Sequence, residues 1–300
     1  MSASVDTMAR PGLIGSWIAA IRPATLTASA APVAVGTALA IADGAFHPLA
    51  AALAFVGAAL LQIGTNLYND LSDFKKGADT EERLGPARAV QRGWLSQNEV
   101  ATGTAVTFVA AALTGIYLVV LGGWPIAAIG VSGIVSGLAY TGGPKPLAYT
   151  GLGDLFVLAF FGLAAVCGTY FLQVGTVTWP VVAASVSVGA LATAILVVNN
   201  LRDRFTDVKA NKRTLAVRFG GTFARAEYVA LVFAAYAVVI GVAIVLQTPG
   251  WLAPLLTLPI AARCVSAVLR TDGADLNPWL GNTAKLGLAF SLALSIGVAW

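Results

Sequence analysis

Apolar stretches about as long as a membrane-crossing helix recur nine times along this chain, and polar residues gather almost wholly between them. A span takes about 20 mostly apolar residues. Reading by that length places helices near 23–42, 50–70, 100–121, 124–141, 153–174, 179–200, 226–247, 251–269 and 283–300. Glycine and proline punctuate the tightest turns: Gly122, Gly123 and Pro125 part the third span from the fourth, and Pro249 and Gly250 part the seventh from the eighth. The pattern predicts an all-α, polytopic membrane bundle of nine transmembrane helices around a central cavity open to the cytoplasmic side. It forms a single domain over 1–300, and two half-bundles of about 1–141 and 142–300 are conceivable within it.

The connections alternate in charge. Those near 43–49, 122–123, 175–178 and 248–250 hold no Lys or Arg. The loop 71–99 holds Lys75, Lys76, Arg83, Arg88 and Arg92, and the loop 201–225 holds Arg202, Arg204, Lys209, Lys212, Arg213, Arg218 and Arg225. Lys145 and Arg270 fall in the two remaining loops of that side. Positive loops stay cytoplasmic, so the reading is an integral inner (cytoplasmic) membrane protein with a cytoplasmic N-terminus. Composition agrees: 58% of the 300 residues are hydrophobic and only 11% charged, against about 25% charged in soluble domains. The net charge of +4 is not one basic patch, so no nucleic-acid partner is expected, and the lipid bilayer is. Cys167 and Cys264 lie inside apolar runs, which predicts neither a disulfide nor a thiolate metal site. His47, the only histidine, reads as a loop residue. No removable signal peptide is expected.

Against this background two acidic clusters stand out. Asn66, Asn69, Asp70, Asp73 and Asp79 follow the second span, and Asn199, Asn200, Asp203 and Asp207 follow the sixth. Together they hold five of the chain's 14 acidic residues. On a helix Asn66, Asp70 and Asp73 share one face, as do Asn200, Asp203 and Asp207. Each helix then presents a column of oxygen ligands at the same membrane face. Mg²⁺ takes such ligands with waters and substrate phosphates, and the neighbouring Lys75, Lys76, Arg202, Arg204, Lys209, Lys212 and Arg213 can neutralise a diphosphate. A solvated, salt-bridged rim is the plain alternative for either cluster alone; two similar clusters on one side favour function. A diphosphate at the mouth of an apolar bundle suits an amphiphile such as a polyprenyl diphosphate. Tyr68, Tyr140 and Tyr149 can face an allylic cation or serve as interfacial belt residues.

At these residues the chain resembles the UbiA superfamily of intramembrane aromatic prenyltransferases, whose acidic motifs follow the second and sixth helices. Asn69-Asp70-x-x-Asp73 matches the first motif, with Asp79 as its last acid, and Asn200-x-x-Asp203-x-x-x-Asp207 matches the second, with Asn in the leading acidic slot. The closest likeness is to the branch acting on 1,4-dihydroxy-2-naphthoate in menaquinone biosynthesis. It is carried by Arg22 to Leu26, Asn69 to Arg92, Tyr140 to Leu155 and Asn199 to Arg218. The resemblance implies Mg²⁺-dependent transfer of a polyprenyl group to that aromatic acceptor, with loss of CO2 and diphosphate, giving demethylmenaquinone.

It further implies that Asp70, Asp73, Asp79, Asp203 and Asp207 hold Mg²⁺ and diphosphate, assisted by Asn66, Asn69 and Asn200. Lys145 and Arg213 would partner the diphosphate, and Tyr149 would line the substrate site. Asp154 would orient or deprotonate the acceptor hydroxyl, or else be an acid favoured by its helix N-terminus. Arg22 would meet the acceptor carboxylate or simply mark the end of the first span. A sibling enzyme using 4-hydroxybenzoate or homogentisate, and a membrane transporter, are the alternatives. No pattern in the chain fixes an oligomeric state or a prenyl chain length.

Overall fold

The computed structural model describes residues 11–78 and 83–300. Asp79 and Arg10 lie outside the described residues. The helices are α1 (Leu13–Ile21), α2 (Pro23–Ala42), α3 (Pro48–Lys75), α4 (Gln97–Thr141), α5 (Gly153–Val157), α6 (Gly168–Val174), α7 (Trp179–Lys209), α8 (Leu215–Leu246), α9 (Leu258–Arg270) and α10 (Asn277–Ala299). A π-helical stretch, Leu158–Cys167, joins α5 to α6 in one span, and a 3₁₀ stretch, Pro249–Thr257, leads into α9.

The ends of these helices follow local chemistry. Pro23 and Pro48 open α2 and α3, where the missing N–H costs nothing. Ser96 and Glu99 form a reciprocal capping box at the start of α4. Thr214 caps α8 by accepting from the Val217 N–H at 3.3 Å.

Eight helical stretches among the described residues are long and apolar enough to cross a membrane. One of them, α4, crosses twice. Gly123, at φ 67° and ψ −156°, breaks it, and the packing against α3 shows the reversal. Gly57 and Gly64 of α3 lie against Thr114 and Phe108, so the first arm runs antiparallel to α3. Leu61 lies against Gly133, Thr65 against Gly137, and Asn69 bonds Thr141, so the second arm runs parallel to it. The nine predicted spans are therefore present.

Their lengths differ from the sequence expectation at the acidic face. The second span continues from 70 to Lys75 and the sixth from 200 to Lys209. Both helices exceed the 20 residues that cross the hydrocarbon, so the aspartates ride on the last turns of continuous helices. The seventh span begins earlier, at Leu215, and is interrupted at Gly220 (φ 86°).

At the centre is α7: 67% of its most apolar stretch is buried, against 11% for α4, whose Val106, Val109, Leu113 and Val131 face outward toward lipid. The main core joins α2, α7, α8 and α10 through residues such as Leu39, Leu191, Val198, Tyr228 and Phe290. Polar groups inside it are paired. The Tyr228 and Tyr236 hydroxyls meet Thr283 and Thr257 at 2.9 and 2.6 Å. A smaller core packs Ala20, Leu67, Leu71, Ala89, Val90 and Leu95 together, which lays the loop after α3 back onto α1 and α3.

One close crossing is testable. A Cβ at Gly250 would sit 2.0 Å from the Gly297 carbonyl oxygen, so backbone rather than a movable side chain bars it. Gly250→Ala should cost about 1–3 kcal/mol by overpacking, read as a lower melting midpoint in detergent.

Candidate functional site

The first acidic helix end is buried and held by several hydrogen bonds. Asn66 donates from Nδ2 to the Ile21 carbonyl at 2.9 Å and to Thr25 Oγ1 at 2.8 Å, which ties the elbow between α1 and α2 to α3. Asn69 Oδ1 accepts from the Thr141 hydroxyl at 2.7 Å. Asp70 Oδ2 accepts from the Ala89 N–H at 3.0 Å. Asp73 is the busiest: Oδ1 accepts from the Tyr149 hydroxyl at 3.2 Å, and Oδ2 faces Arg88 Nη2 and Lys212 Nζ, each at 3.4 Å.

The second helix end is built differently. Asp203 is chelated by its neighbour Arg202, whose Nε and Nη2 reach Oδ1 and Oδ2 at 2.8 and 2.6 Å. Arg202 is 2% exposed, so it is a structural cation buried in the fold and not, as its position in the sequence suggested, one more side chain facing a diphosphate. Arg204 likewise turns away, to Asp272, which also pairs with Arg225 at 2.8 Å. Burial pushes the Asp272 carboxyl upward, but those two guanidinium groups outweigh it and hold it below the usual carboxylate range. Asp207 is buried within the fields of Lys212, Asp203 and Asp73. No hydrogen bond or ion pair within contact distance reaches its carboxylate among the described residues.

Lys212 brings the two ends together. It leaves the loop after α7, reaches Asp73 on α3, and lies 5.0 Å from the centre of the Tyr149 ring. Lys76 lies 5.1 Å from the same ring, so one aromatic ring holds two ammonium groups by cation–π attraction. Burial lowers the Lys76 ammonium pKa, Asp73 opposes the shift and Lys212 reinforces it. The Arg213 N–H fixes the Tyr149 carbonyl at 3.1 Å, while the Arg213 and Lys145 side chains are exposed at the same face. Asn200 is buried beside Asp203.

Deeper in, Asp154 opens α5, buried, with Oδ1 lacking any hydrogen-bond partner. Tyr140 lies within the fields of Asp154, Asp73 and Asp207, and Glu227 of α8 lies within that of Asp154. Arg22 occupies the left-handed joint (φ 56°) between α1 and α2, near the Asn66 anchor. At the opposite end His47 is a loop residue as expected; its N–H donates to Gln173 Oε1 at 3.3 Å. Cys167 and Cys264 are free thiols.

The donor set fits a hard divalent cation: carboxylate oxygens only, one of them, on Asp207, buried in the combined field of Lys212, Asp203, Asp73 and Arg202. No three acidic side chains among the described residues converge on one point. The arrangement suits an ion held by one or two carboxylates, waters and a phosphate-bearing ligand, as Mg²⁺ is. Sequence reasoning missed Thr141, Arg88 as a partner of Asp73, and Glu227. Only Glu227 carried a signal, as an acid inside an apolar run.

Comparison with known proteins bears on the family and the fold. Residues 29–292 match the UbiA prenyltransferase family. The chain is 36% identical over 292 residues to a 1,4-dihydroxy-2-naphthoate octaprenyltransferase of Escherichia coli K12, covering 94% of each chain. It is 38% identical over 285 residues to the enzyme of that name from Mycobacterium tuberculosis, covering 95% of this chain and 97% of the other. In fold it is similar to a UbiA homolog from Archaeoglobus fulgidus bound to GPP and Mg²⁺, with a TM-score of 0.68 and 16% identity over 94% of this chain and 99% of that one.

Proposed function

The chain belongs to the UbiA prenyltransferase family, and on that premise we propose that it transfers a polyprenyl group from polyprenyl diphosphate to 1,4-dihydroxy-2-naphthoate, giving demethylmenaquinol, the reduced form of demethylmenaquinone. The allylic C–O bond breaks and diphosphate leaves with its electron pair. A C–C bond forms at the ring carbon that bears the carboxylate, and that carboxylate leaves as CO2. The relatives that share about a third of the sequence over nearly the whole chain carry this acceptor in their names. The observation that carries the reading is Lys212 on Asp73, with Asp207 in the field of both: two acidic helix ends share one cation-lined mouth.

Asp70, Asp73, Asp79, Asp203 and Asp207 are the residues that would hold Mg²⁺. Bound Mg²⁺ supplies the positive charge that makes diphosphate a good leaving group. Arg88, Lys76 and Lys212 line the mouth, and Lys145 and Arg213 extend the positive field outward to bind the diphosphate. Tyr140 and Tyr149 face the allylic chain. Asn66, Asn69 and Asn200 keep the acidic faces aligned. Asp154, with an unpaired oxygen, accepts a proton from the acceptor hydroxyl, and Arg22 meets the acceptor carboxylate. Small residues of α2, α7 and α10, among them Ala28, Ala31, Ala192 and Gly287, line a narrow apolar cleft. The mouth faces the cytoplasm, on the side where the basic loops gather.

Membranes containing the chain, supplied with Mg²⁺, a polyprenyl diphosphate and 1,4-dihydroxy-2-naphthoate, should yield demethylmenaquinol, or demethylmenaquinone once air has oxidised it, by mass spectrometry of the lipid extract. EDTA should abolish it and added Mg²⁺ restore it. Product only with 4-hydroxybenzoate or homogentisate would replace the acceptor and keep the reaction class. No product from any of the three acceptors would sink the reading.

A further inference from the structure

Asn277, the first residue of α10, sits outside the acidic mouth yet touches the frame of both clusters. Its Oδ1 accepts from Arg202 Nη1 at 2.9 Å, and its Nδ2 donates to the Leu84 carbonyl at 2.8 Å. Only one orientation of the amide serves both, since a flip would set NH₂ against the guanidinium and oxygen against the carbonyl.

On one side of this amide is the second cluster. Arg202 uses Nε and Nη2 on Asp203 and Nη1 on Asn277, so the amide helps fix the plane of the guanidinium that orients the Asp203 carboxylate. On the other side is the segment 84–89, which starts at the Leu84 carbonyl and ends on the first cluster. There Arg88 faces Asp73, and the Ala89 N–H donates to Asp70. Gly85 presses the segment against Arg202: a Cβ there would lie 2.8 Å from Nη2. The path from Asp203 to Asp70 and Asp73 thus runs through Arg202, the Asn277 amide and the Leu84 backbone. Site geometry must be held to within about 0.5 Å for productive binding, and among the described residues the two helix ends also meet through Lys212 and through Tyr149, which joins Arg213 to Asp73.

We propose that Asn277 is a positioning residue that sets the two acidic clusters in register, through Arg202 on one side and segment 84–89 on the other. The inference rests on the prenyl-transfer reading for its ligand, but the contacts themselves do not.

The test uses purified full-length chain in detergent. A non-reactive prenyl thiolodiphosphate is titrated, and the Mg²⁺ concentration that gives half-maximal binding is measured alongside the melting midpoint and the rate of tryptic cleavage at Arg88 and Arg92. Asn277→Ala should raise the Mg²⁺ requirement about tenfold, equivalent to about 1.4 kcal/mol, and speed cleavage, while the protein stays folded. Asn277→Asp keeps an acceptor for Arg202 and loses the donor to Leu84. It should match the alanine variant in cleavage and shift the Mg²⁺ requirement less. An unchanged Mg²⁺ requirement in folded Asn277→Ala overturns the proposal. If that variant does not fold, wild-type cleavage in Asn277→Asp overturns it. A wild-type protein that fails to bind the analogue with Mg²⁺ removes the prenyl-transfer reading instead, and the cleavage arm then decides the role of Asn277 alone.

Discussion

Asp207→Asn stops prenyl transfer and leaves the protein at least as stable as the unaltered chain. The two halves of that result come from one fact. Asp207 is buried, near Asp73 and Asp203, with no hydrogen-bond donor in contact among the described residues. A buried carboxylate without a partner is costly, and two like charges nearby add to the cost. Lys212 offsets part of it from a distance. Replacing the charge by an amide of the same shape relieves the repulsion and removes a ligand oxygen's charge. Losing one preorganised electrostatic element of an active site costs about 10²–10³-fold in rate, and a metal-binding charge belongs at the upper end. The measurement pairs kcat/KM for the polyprenyl diphosphate with the melting midpoint in detergent without Mg²⁺. Near-normal turnover would remove Asp207 from the site. A fall in activity matched by a fall in melting midpoint would make it a structural acid. Active sites commonly trade stability for function in this way.

The helices were legible in the sequence because the bilayer fixes their length: an apolar run of about 20 residues has few other fates. Gly123 was legible as a turn for the same reason, since two apolar runs met there with glycine and proline between. The ends at the acidic face were harder to place. Residues from Leu71 to Lys75 read as loop by hydropathy, yet helical hydrogen bonding continues beyond the hydrocarbon for as long as nothing stops it. The acidic clusters were visible as rare charges with helical spacing.

Their partners were not. Nothing in Thr141, Arg88 or Ala89 tells that they fold onto Asn69, Asp73 and Asp70, because a contact between distant segments leaves no local period. Direction was also hidden. Arg202 beside Asp203 looked like one of several cations at a diphosphate, whereas its guanidinium curls back on its own neighbour. Asn277 carried no signal at all: a lone amide at the start of an apolar helix is ordinary until its two partners are seen.

Arg202 gives the opposite result to Asp207, five residues along the same helix. Its side chain is almost wholly buried and makes four hydrogen bonds, to both Asp203 oxygens, Asn199 and Asn277. Arg202→Ala leaves the 14%-exposed Asp203 carboxylate without its counter-charge. Breaking one side of a buried ion pair costs about 3–5 kcal/mol, enough to lower the melting midpoint by roughly 10 °C. Arg202→Lys keeps the charge but not the fork. An ammonium donates from one point and cannot chelate Asp203 while also reaching Asn277, so it should recover only part of the loss. The double variant Arg202→Met with Asp203→Asn should be more stable than Arg202→Ala, because no lone charge remains, and still inactive. Thermal unfolding of the three variants separates this role from the one its charge suggested. An Arg202→Ala protein with an unchanged melting midpoint and a raised KM for the polyprenyl diphosphate would return Arg202 to the diphosphate. A destabilised protein whose folded fraction keeps its KM leaves it as a buried structural cation.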